Sequence, residues 1–489
     1  MDKMTVRTSP QQRVDGLVEV LRSLLPDGAV AVAADDRASH AADRWPRAAK
    51  WSPVDRARRS PVAVVRPTTT RDVGLTVRAA ADAGVAVIPY GAGSGVVGGV
   101  VPRVPALCLD LSGLGGAPSF DDAAGQVTVG AGVLASDLEG ALNARGRRLP
   151  HYPQSLSLAT VGGLVATRSS GTFSSKYGNI EDQLVAVEVV LADGVVVRTR
   201  AVPRSSTGPA LAQLFVGSEG TFGVITEVTL RTLPLAECTA FRGVAFGGLG
   251  AGLAAVRGLL DRGVLPAVIR LYDETEAVHL FERAGLAGAD RCLLILGFDG
   301  AATVVEAELQ VALAEVAEHG GGDIDSGIGD VWERTRFDAS WLERGNAGAG
   351  QLADAIEVSA PWPVLLSLHG EVLTALSPYT DTRYAHYSHF YPNGAAIYFI
   401  FTTSGKDSES VVERYTAAWK AALDAVLAAG GSISHHHGVG EVRQAWMSAE
   451  LASSRTVLAA LKRALDPNNT LNPGKLGLPH LPHDLLEES

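Results

Sequence analysis

Cysteine is scarce in this chain, and positive charge is outnumbered. Three cysteines are spread over 489 residues, at Cys108, Cys238 and Cys292. They form no CxxC pair, which argues against a disulfide framework and a zinc–thiolate centre. Reduced thiols make the cytoplasm the expected compartment. Lysine and arginine total 42 against 53 aspartates and glutamates, a net charge of −11. That deficit argues against a nucleic-acid partner, which needs a basic face. Long apolar runs are missing too. No stretch reaches the ~18 apolar residues of a membrane span. The opening MDKMTVRTSPQQRVDGLVEVLRSLLP lacks the apolar core of a secretory signal, and the closing LLEES is not a peroxisomal address. Internal repeats and low-complexity tracts are not seen.

What is present is an ordinary globular composition, 46% hydrophobic and 19% charged, long enough for two to four domains. Val14, Leu17, Val18, Val20, Leu21 and Leu24 recur at helical spacing, so residues 1–55 read as a helical lead-in. Residues 56–236 read as one α+β domain. VAVVRP is a short strand, and TTRDVGLTVRAAADAG is a helix with Thr70 as N-cap and Gly84 as its stop. VAVIPYGAGSG is a strand running into a glycine turn. ALCLDLSGLG, AGQVTVGAGV and LVAVEVVLADGVVVRT are further strands, the last folded at ADG. TFGVITEVTLRTLP is a strand broken by Pro234. Residues 237–430 alternate helices (GLAAVRGLLDRG, EAELQVALAEVAEHGG, ERYTAAWKAALDAVLAAGG) with strands (AVIRLYD, RCLLILGFDG, AAIYFIFTT) and read as an α+β cap. Residues 431–489 carry a histidine run, a helix and LDPNNTLNPGKL.

Three polar glycine runs stand out, each at the edge of a β segment: PYGAGSGVVGG, PQSLSLATVGGLVATRSSG followed by YGNIED, and VGSEGTFGVITEV. Glycine lets the backbone approach a ligand, and its free N–H groups can hold a pyrophosphate. Taken singly, each is an ordinary turn. None is a Walker A loop or a Rossmann fingerprint. Together they point to one long polar cofactor.

GGSISHHHGVG places His435, His436 and His437 in a row. Adjacent histidines diverge, whereas metal sites favour HxH or HxxxH spacings with distant partners. Acid/base or substrate contact therefore ranks first, a structural turn second and metal third; no metal is expected.

These residues together resemble the FAD-binding family that shares the fold of vanillyl-alcohol oxidase and p-cresol methylhydroxylase, over roughly residues 55–476. Within it the likeness is to alkyldihydroxyacetonephosphate synthases, carried by SLATVGGLVATRSSG, YGNIED, PAVIRLYD, AAIYFIF and SISHHHGVG. The resemblance implies a two-part FAD-binding domain with an α+β cap. It also implies an exchange of an acyl for an alkyl group on a dihydroxyacetone phosphate, through a flavin N5 adduct and without net redox. It assigns FAD contacts to Pro89, Gly91, Ala92, Gly93, Ser94, Gly95 and Val96. In the second run it assigns Gln154, Ser155, Ser157, Thr160, Gly162, Gly163, Thr167, Ser169, Ser170, Tyr177 and Gly178. In the third it assigns Glu219, Gly220, Gly223, Val224 and Ile225. Tyr398 becomes the catalytic tyrosine, with His435, His436, His437 and Arg270 beside it and Arg344 on the substrate phosphate.

Ordinary alternatives stand beside these. Tyr391 is a second candidate tyrosine, Arg270 has Asp273 nearby as an ion-pair partner, and Arg344 has the type of a surface residue. In related hydroxy-acid dehydrogenases an HxGDGNLH-like segment holds a metal. Here HFYPNGAAIYF keeps His389 and puts Tyr398 near the second histidine. No histidine or cysteine lies in residues 89–99, so FAD is expected to be non-covalent there. Lys176 is the one positive residue just before YGNIED, and LDPNNTLNPGKL looks like the oxidase branch. An FAD-linked oxidase or dehydrogenase acting on an alcohol or 2-hydroxy acid is therefore the alternative, and a non-catalytic flavoprotein a third. A small or lipid-like substrate is expected, with a homodimer the oligomer considered.

Overall fold

The computed structural model describes residues 9–286 and 291–479. Residues 1–8 and the closing LLEES lie outside them. The chain folds as α+β, with four sheets among the described residues.

The first sheet has the order Val30–Ala31, Ala63–Val65, Ala106–Asp110, Ala86–Tyr90. Its last three strands run parallel. The helix Thr70–Ala83 makes the crossover. Its N-cap is Thr69, one residue earlier than the expected Thr70: the Thr69 hydroxyl accepts from Asp72 N, and the Asp72 carboxylate reaches back to Thr69 N. That reciprocal bonding satisfies two otherwise orphaned donors. Gly84 ends the helix at φ 64°. The strand Val30–Ala31 belongs to the lead-in, so residues before 56 contribute to this sheet.

A five-stranded antiparallel sheet follows, ordered Ser119–Asp121, Gln126–Gly130, Val224–Arg231, Leu184–Val190, Val196–Arg198. The expected break in the last long strand falls at Thr232. Pro234 itself sits in a two-residue pairing with Arg147, an edge position that tolerates its missing donor.

The cap is a seven-stranded antiparallel sheet, ordered Gly322–Asp325, Cys238–Phe246, Cys292–Gly300, Val268–Tyr272, Thr382–Tyr391, Gly394–Ser404, Gln351–Pro361. Side chains alternate along a strand, and here the alternation sorts core from site. Ile397, Phe399, Ala385 and Tyr387 join the core beneath helices Leu365–Leu376 and Ser408–Ala428. Their neighbours Tyr398, Ile400, Tyr384, His386 and Ser388 face a cavity on the other side. A bulge between Ser388 and Phe390 leaves His389 at φ 51°. That conformation is uncommon outside glycine; it adds His389 to the cavity face while Phe390 returns to the core.

Beyond the cap the chain pairs Ser432 with Ser359 at the sheet edge and then returns to the first half. Val87 N donates to Thr470 O, and Asn472 N donates to Val87 O. Among the described residues no helix is long and apolar enough to cross a membrane.

Candidate active site

One cavity of about 940 Å³ runs between the glycine runs and the cap sheet. From the first run, Pro89, Gly91, Ala92, Gly93, Ser94, Gly95 and Val96 line it. Among the described residues no acceptor takes the N–H groups of residues 92–96. From the second run, Gln154, Ser155, Thr160, Gly162, Gly163, Thr167, Ser169 and Ser170 line it. From the third, Glu219, Gly220, Gly223 and Ile225 do. The backbone is packed too tightly for side chains at several of these points. A Cβ on Gly91 would stand 2.4 Å from Thr160 Oγ1, and one on Gly162 would stand 2.5 Å from the Ala131 Cβ.

Four of the expected contacts lie off the cavity. Val224 alternates away from Gly223 and Ile225 into the core behind. Ser157 is exposed. Tyr177 is committed elsewhere, donating to Asp299 Oδ1 at 2.6 Å and accepting from Arg148 at 3.0 Å, where the first half meets the cap. Gly178, at φ 88°, packs over Asp182.

The lead-in supplies a group that residue-type reasoning missed. Asp43 lines the cavity and accepts from Gly98 N and Gly99 N at 2.9 and 3.1 Å. Burial pushes its carboxyl up to about 7. Glu219 acts similarly from below, accepting from Val439 N at 2.5 Å and from Gly440 N at 3.1 Å.

On the cap wall, strand register sets a row of side chains. Tyr272 lies opposite His386, His386 opposite Tyr398, and Tyr398 opposite Glu357. The Tyr398 hydroxyl sits 3.1 Å from His389 Nε2 and 3.2 Å from His436 Nε2. Burial raises its pKa well above the ordinary phenol value, so the hydroxyl keeps its proton. Burial also lowers His389, His436 and, to about 4, His437. These histidines are therefore neutral near pH 7. His437 also lines the cavity; His435 stands behind it, 2.8 Å from the Tyr391 hydroxyl.

Glu357 explains how three consecutive histidines hold one shape. It is fully buried and accepts from the backbone N–H of His435 at 2.6 Å and His437 at 2.7 Å, and from the Ser434 hydroxyl at 2.8 Å. Arg443, also fully buried, donates at 3.3 Å. Burial alone would raise this carboxyl. The positive charge that the surrounding histidines take up in acid, with that of Arg443, outweighs it and holds the carboxyl below the ordinary range. Glu357, His435 and His436 are close enough together to suggest a metal site. The Glu357 oxygens are already taken by these donors, and His435 Nδ1 and His436 Nδ1 face each other at 2.9 Å. The arrangement suits hydrogen bonding between the rings.

Arg270 lines the cavity and donates to His386 Nε2 at 2.6 Å. Arginine only donates, so His386 carries its proton on Nδ1 and gives it to Glu276 Oε2 at 2.8 Å. Asp273 instead caps the following helix and accepts from Ala385 N. Arg344 lies outside the cavity: it is exposed, and its guanidinium bonds Ser340 Oγ one turn back at 2.7 Å. Arg336 lies inside it, among the rings of Tyr152, Phe173 and Phe337. Its Nε and Nη1 and the Nε of Arg270 are buried without partners. A buried N–H group left without a partner is costly, and these are open to an acceptor in the cavity.

Comparison with known proteins follows this division. Residues 61–200 match the family described as "FAD binding domain", and residues 235–476 match "FAD linked oxidases, C-terminal domain". The "Uncharacterized FAD-linked oxidoreductase YgcU" of Escherichia coli O157:H7 is 31% identical over 442 residues, covering 85% of this chain and 89% of that one. The "Alkyldihydroxyacetonephosphate synthase" of Caenorhabditis elegans is 28% identical over 463 residues, covering 86% and 77%. The crystal structure of p-cresol methylhydroxylase superposes with a TM-score of 0.75 at 18% identity, over 96% of this chain and 98% of that one, a likeness of fold. The free N–H groups and side-chain-free backbone of the glycine runs fit FAD. The chain belongs to the FAD-linked oxidase family and is an FAD enzyme with the fold of p-cresol methylhydroxylase.

Proposed function

We propose that this enzyme exchanges the acyl group of an acyl-dihydroxyacetone-phosphate-like ester for an alkyl group, the chemistry implied by its likeness to alkyldihydroxyacetonephosphate synthases. The observation that carries the reading is Tyr398 held between two neutral histidines, in a cavity that also presents the unpartnered N–H groups of Arg270 and Arg336. The exchange is redox-neutral. The bond from the substrate carbon to the carboxylate oxygen breaks, the alcohol oxygen bonds to that carbon, and the alcohol's proton leaves with the fatty acid. FAD, when bound, supplies a ring system that takes up and returns an electron pair.

The protein's share is binding and proton transfer. Arg270 and Arg336 suit a phosphate, because the planar guanidinium makes paired charge-assisted bonds. Leu280, Phe337, Trp341 and Leu342 offer an apolar wall for a chain. Tyr398 passes protons with His389 and His436. The FAD is proposed to be non-covalent, since residues 89–99 hold no histidine or cysteine; acid precipitation should release it.

Anaerobic absorbance titration tests the reading. Acyl-dihydroxyacetone phosphate should bleach the flavin and release fatty acid without any oxidised product. The name of the Escherichia coli relative favours a second reading, oxidation of an alcohol or 2-hydroxy acid with Tyr398 or a histidine as base. Bleaching by such a compound, with an oxidised product and recovery in air, would establish that reading instead.

A further inference from the structure

We propose that Tyr391 and His435 form the outer half of a proton relay that reloads Tyr398 from the boundary between cap and FAD-binding half, without passage through the cavity. The inference rests on the reading of Tyr398 as the group that exchanges protons.

Four groups stand in hydrogen-bonding sequence. The Tyr391 hydroxyl is 2.8 Å from His435 Nε2, His435 Nδ1 is 2.9 Å from His436 Nδ1, and His436 Nε2 is 3.2 Å from the Tyr398 hydroxyl. The outer end fixes the direction. Ser170 Oγ lies 2.6 Å from Asn179 Oδ1 and donates to it, so Asn179 turns its amide N–H to the Tyr391 oxygen at 3.0 Å. The Tyr391 hydroxyl also lies 3.4 Å from Asn179 Oδ1, a longer contact than the 2.8 Å to His435 Nε2, so its proton goes to His435. His435 then carries its proton on Nδ1 and gives it to His436 Nδ1, and His436 carries its own on Nε2 and gives it to Tyr398. The Tyr398 proton in turn points to His389 Nε2, 3.1 Å away. One tautomer for each ring satisfies every contact, because a neutral imidazole has one donor and one acceptor. Burial lowers both His435 and His436, which keeps them in that neutral form.

The transfer balances. When Tyr398 gives its proton to the departing carboxylate, His436 refills it from Nε2 and His435 refills His436 at Nδ1. Tyr391 then refills His435 at Nε2 and regains a proton from outside. The alcohol's proton, released as its oxygen bonds to the substrate carbon, returns outward along the same groups and restores each tautomer, so one proton enters, one leaves and no electron moves. The outer end lies beside the loop of Asn179 and Glu181, where Glu181 pairs with the exposed side chain of Arg168 at 2.9 Å. Glu357 fixes the backbone of both histidines, so the ring spacing does not depend on a bound substrate.

The test uses the FAD-loaded protein labelled with nitrogen-15 histidine. The resting enzyme should show His435 protonated on Nδ1 and His436 on Nε2, with neither titrating between about pH 6 and 8. Finding the His436 proton on Nδ1 overturns the relay. In turnover of acyl-dihydroxyacetone phosphate with a fatty alcohol, Tyr391→Phe and His435→Gln should each lower kcat roughly tenfold or more. KM should stay unchanged, the solvent deuterium effect should increase, and added imidazole should give partial rescue. Unchanged kcat and isotope effect in both variants, with Tyr398→Phe inactive, overturn the relay alone. Full activity in Tyr398→Phe would instead sink the functional reading on which it rests.

Discussion

Along the FAD-binding wall the chain reaches the cavity with backbone: glycines at 91, 93, 95, 162, 163, 220 and 223, between short hydroxyl side chains. Along the cap wall it reaches the same cavity with long polar side chains set by strand alternation and by one carboxylate beneath a histidine loop. The first wall is made by leaving atoms out and the second by burying charged and polar groups. They should therefore fail differently: the first by steric exclusion of the cofactor, the second by loss of stability or of rate.

The largest effect should come from Glu357→Ala. It strips the partner from buried Arg443 and from the N–H groups of His435 and His437. A cost of ~3–5 kcal/mol is expected, read as a large fall in Tm. An unchanged Tm would break the contrast. Next, Gly91→Val drives a side chain against Thr160. The purified protein should be colourless, yet with the circular dichroism of a folded cap.

Acid should act on the cap wall first. Burial makes His437 bind a proton less readily when folded, at about 4, than its ordinary 6.5, and His435, His436, His386 and His389 shift in the same direction. The unfolded chain then binds more protons in that window, so stability should fall as pH drops from 6.5 toward 4. Thermal melts across that range check it, and His437→Asn should flatten the slope. The smallest pair of effects sharpens the map of the cap wall. Arg336→Leu should raise KM for a phosphate ester by roughly 10- to 100-fold with the flavin spectrum intact, the loss of a charge-assisted contact. Arg344→Ala should change KM less than about twofold, as expected of an exposed residue.

The two walls were also unequally legible. Glycine runs are contiguous in sequence, and each marks its own place, so the cofactor wall could be read from three short stretches. Within the third run Val224 is the exception: a strand sends alternate residues to opposite faces, and Val224 joins the core. The cap wall is assembled from strands distant in sequence. Thr382–Tyr391 reads TRYAHYSHFY, and its alternation of Tyr384, His386 and Ser388 against Ala385 and Tyr387 was the available signal. Glu357 carried none, because its work is to accept backbone N–H groups, which any sequence supplies. Arg336 sits in the turn just after the helix Ser326–Thr335 and Arg344 within the next helix, Ser340–Ala347, and no local pattern separates them. At the helix Thr70–Ala83, Asp72 was the missed clue, since the reciprocal cap needs an acid three residues after Thr69.

The return of the chain to the first sheet has a consequence for synthesis. Asn472 donates to the carbonyls of Gly99 and Glu219, and Lys475 to those of Gly98 and Val101; Gly98 and Gly99 close the first glycine run, Val101 lies just beyond it and Glu219 lies in the third. A ribosome adding roughly 5–20 residues per second therefore makes the glycine runs tens of seconds before the segment that fastens them. Until then the nascent chain has a cofactor cradle without its clasp, so FAD capture belongs to the end of translation, and a stalled or prematurely terminated product should emerge without flavin.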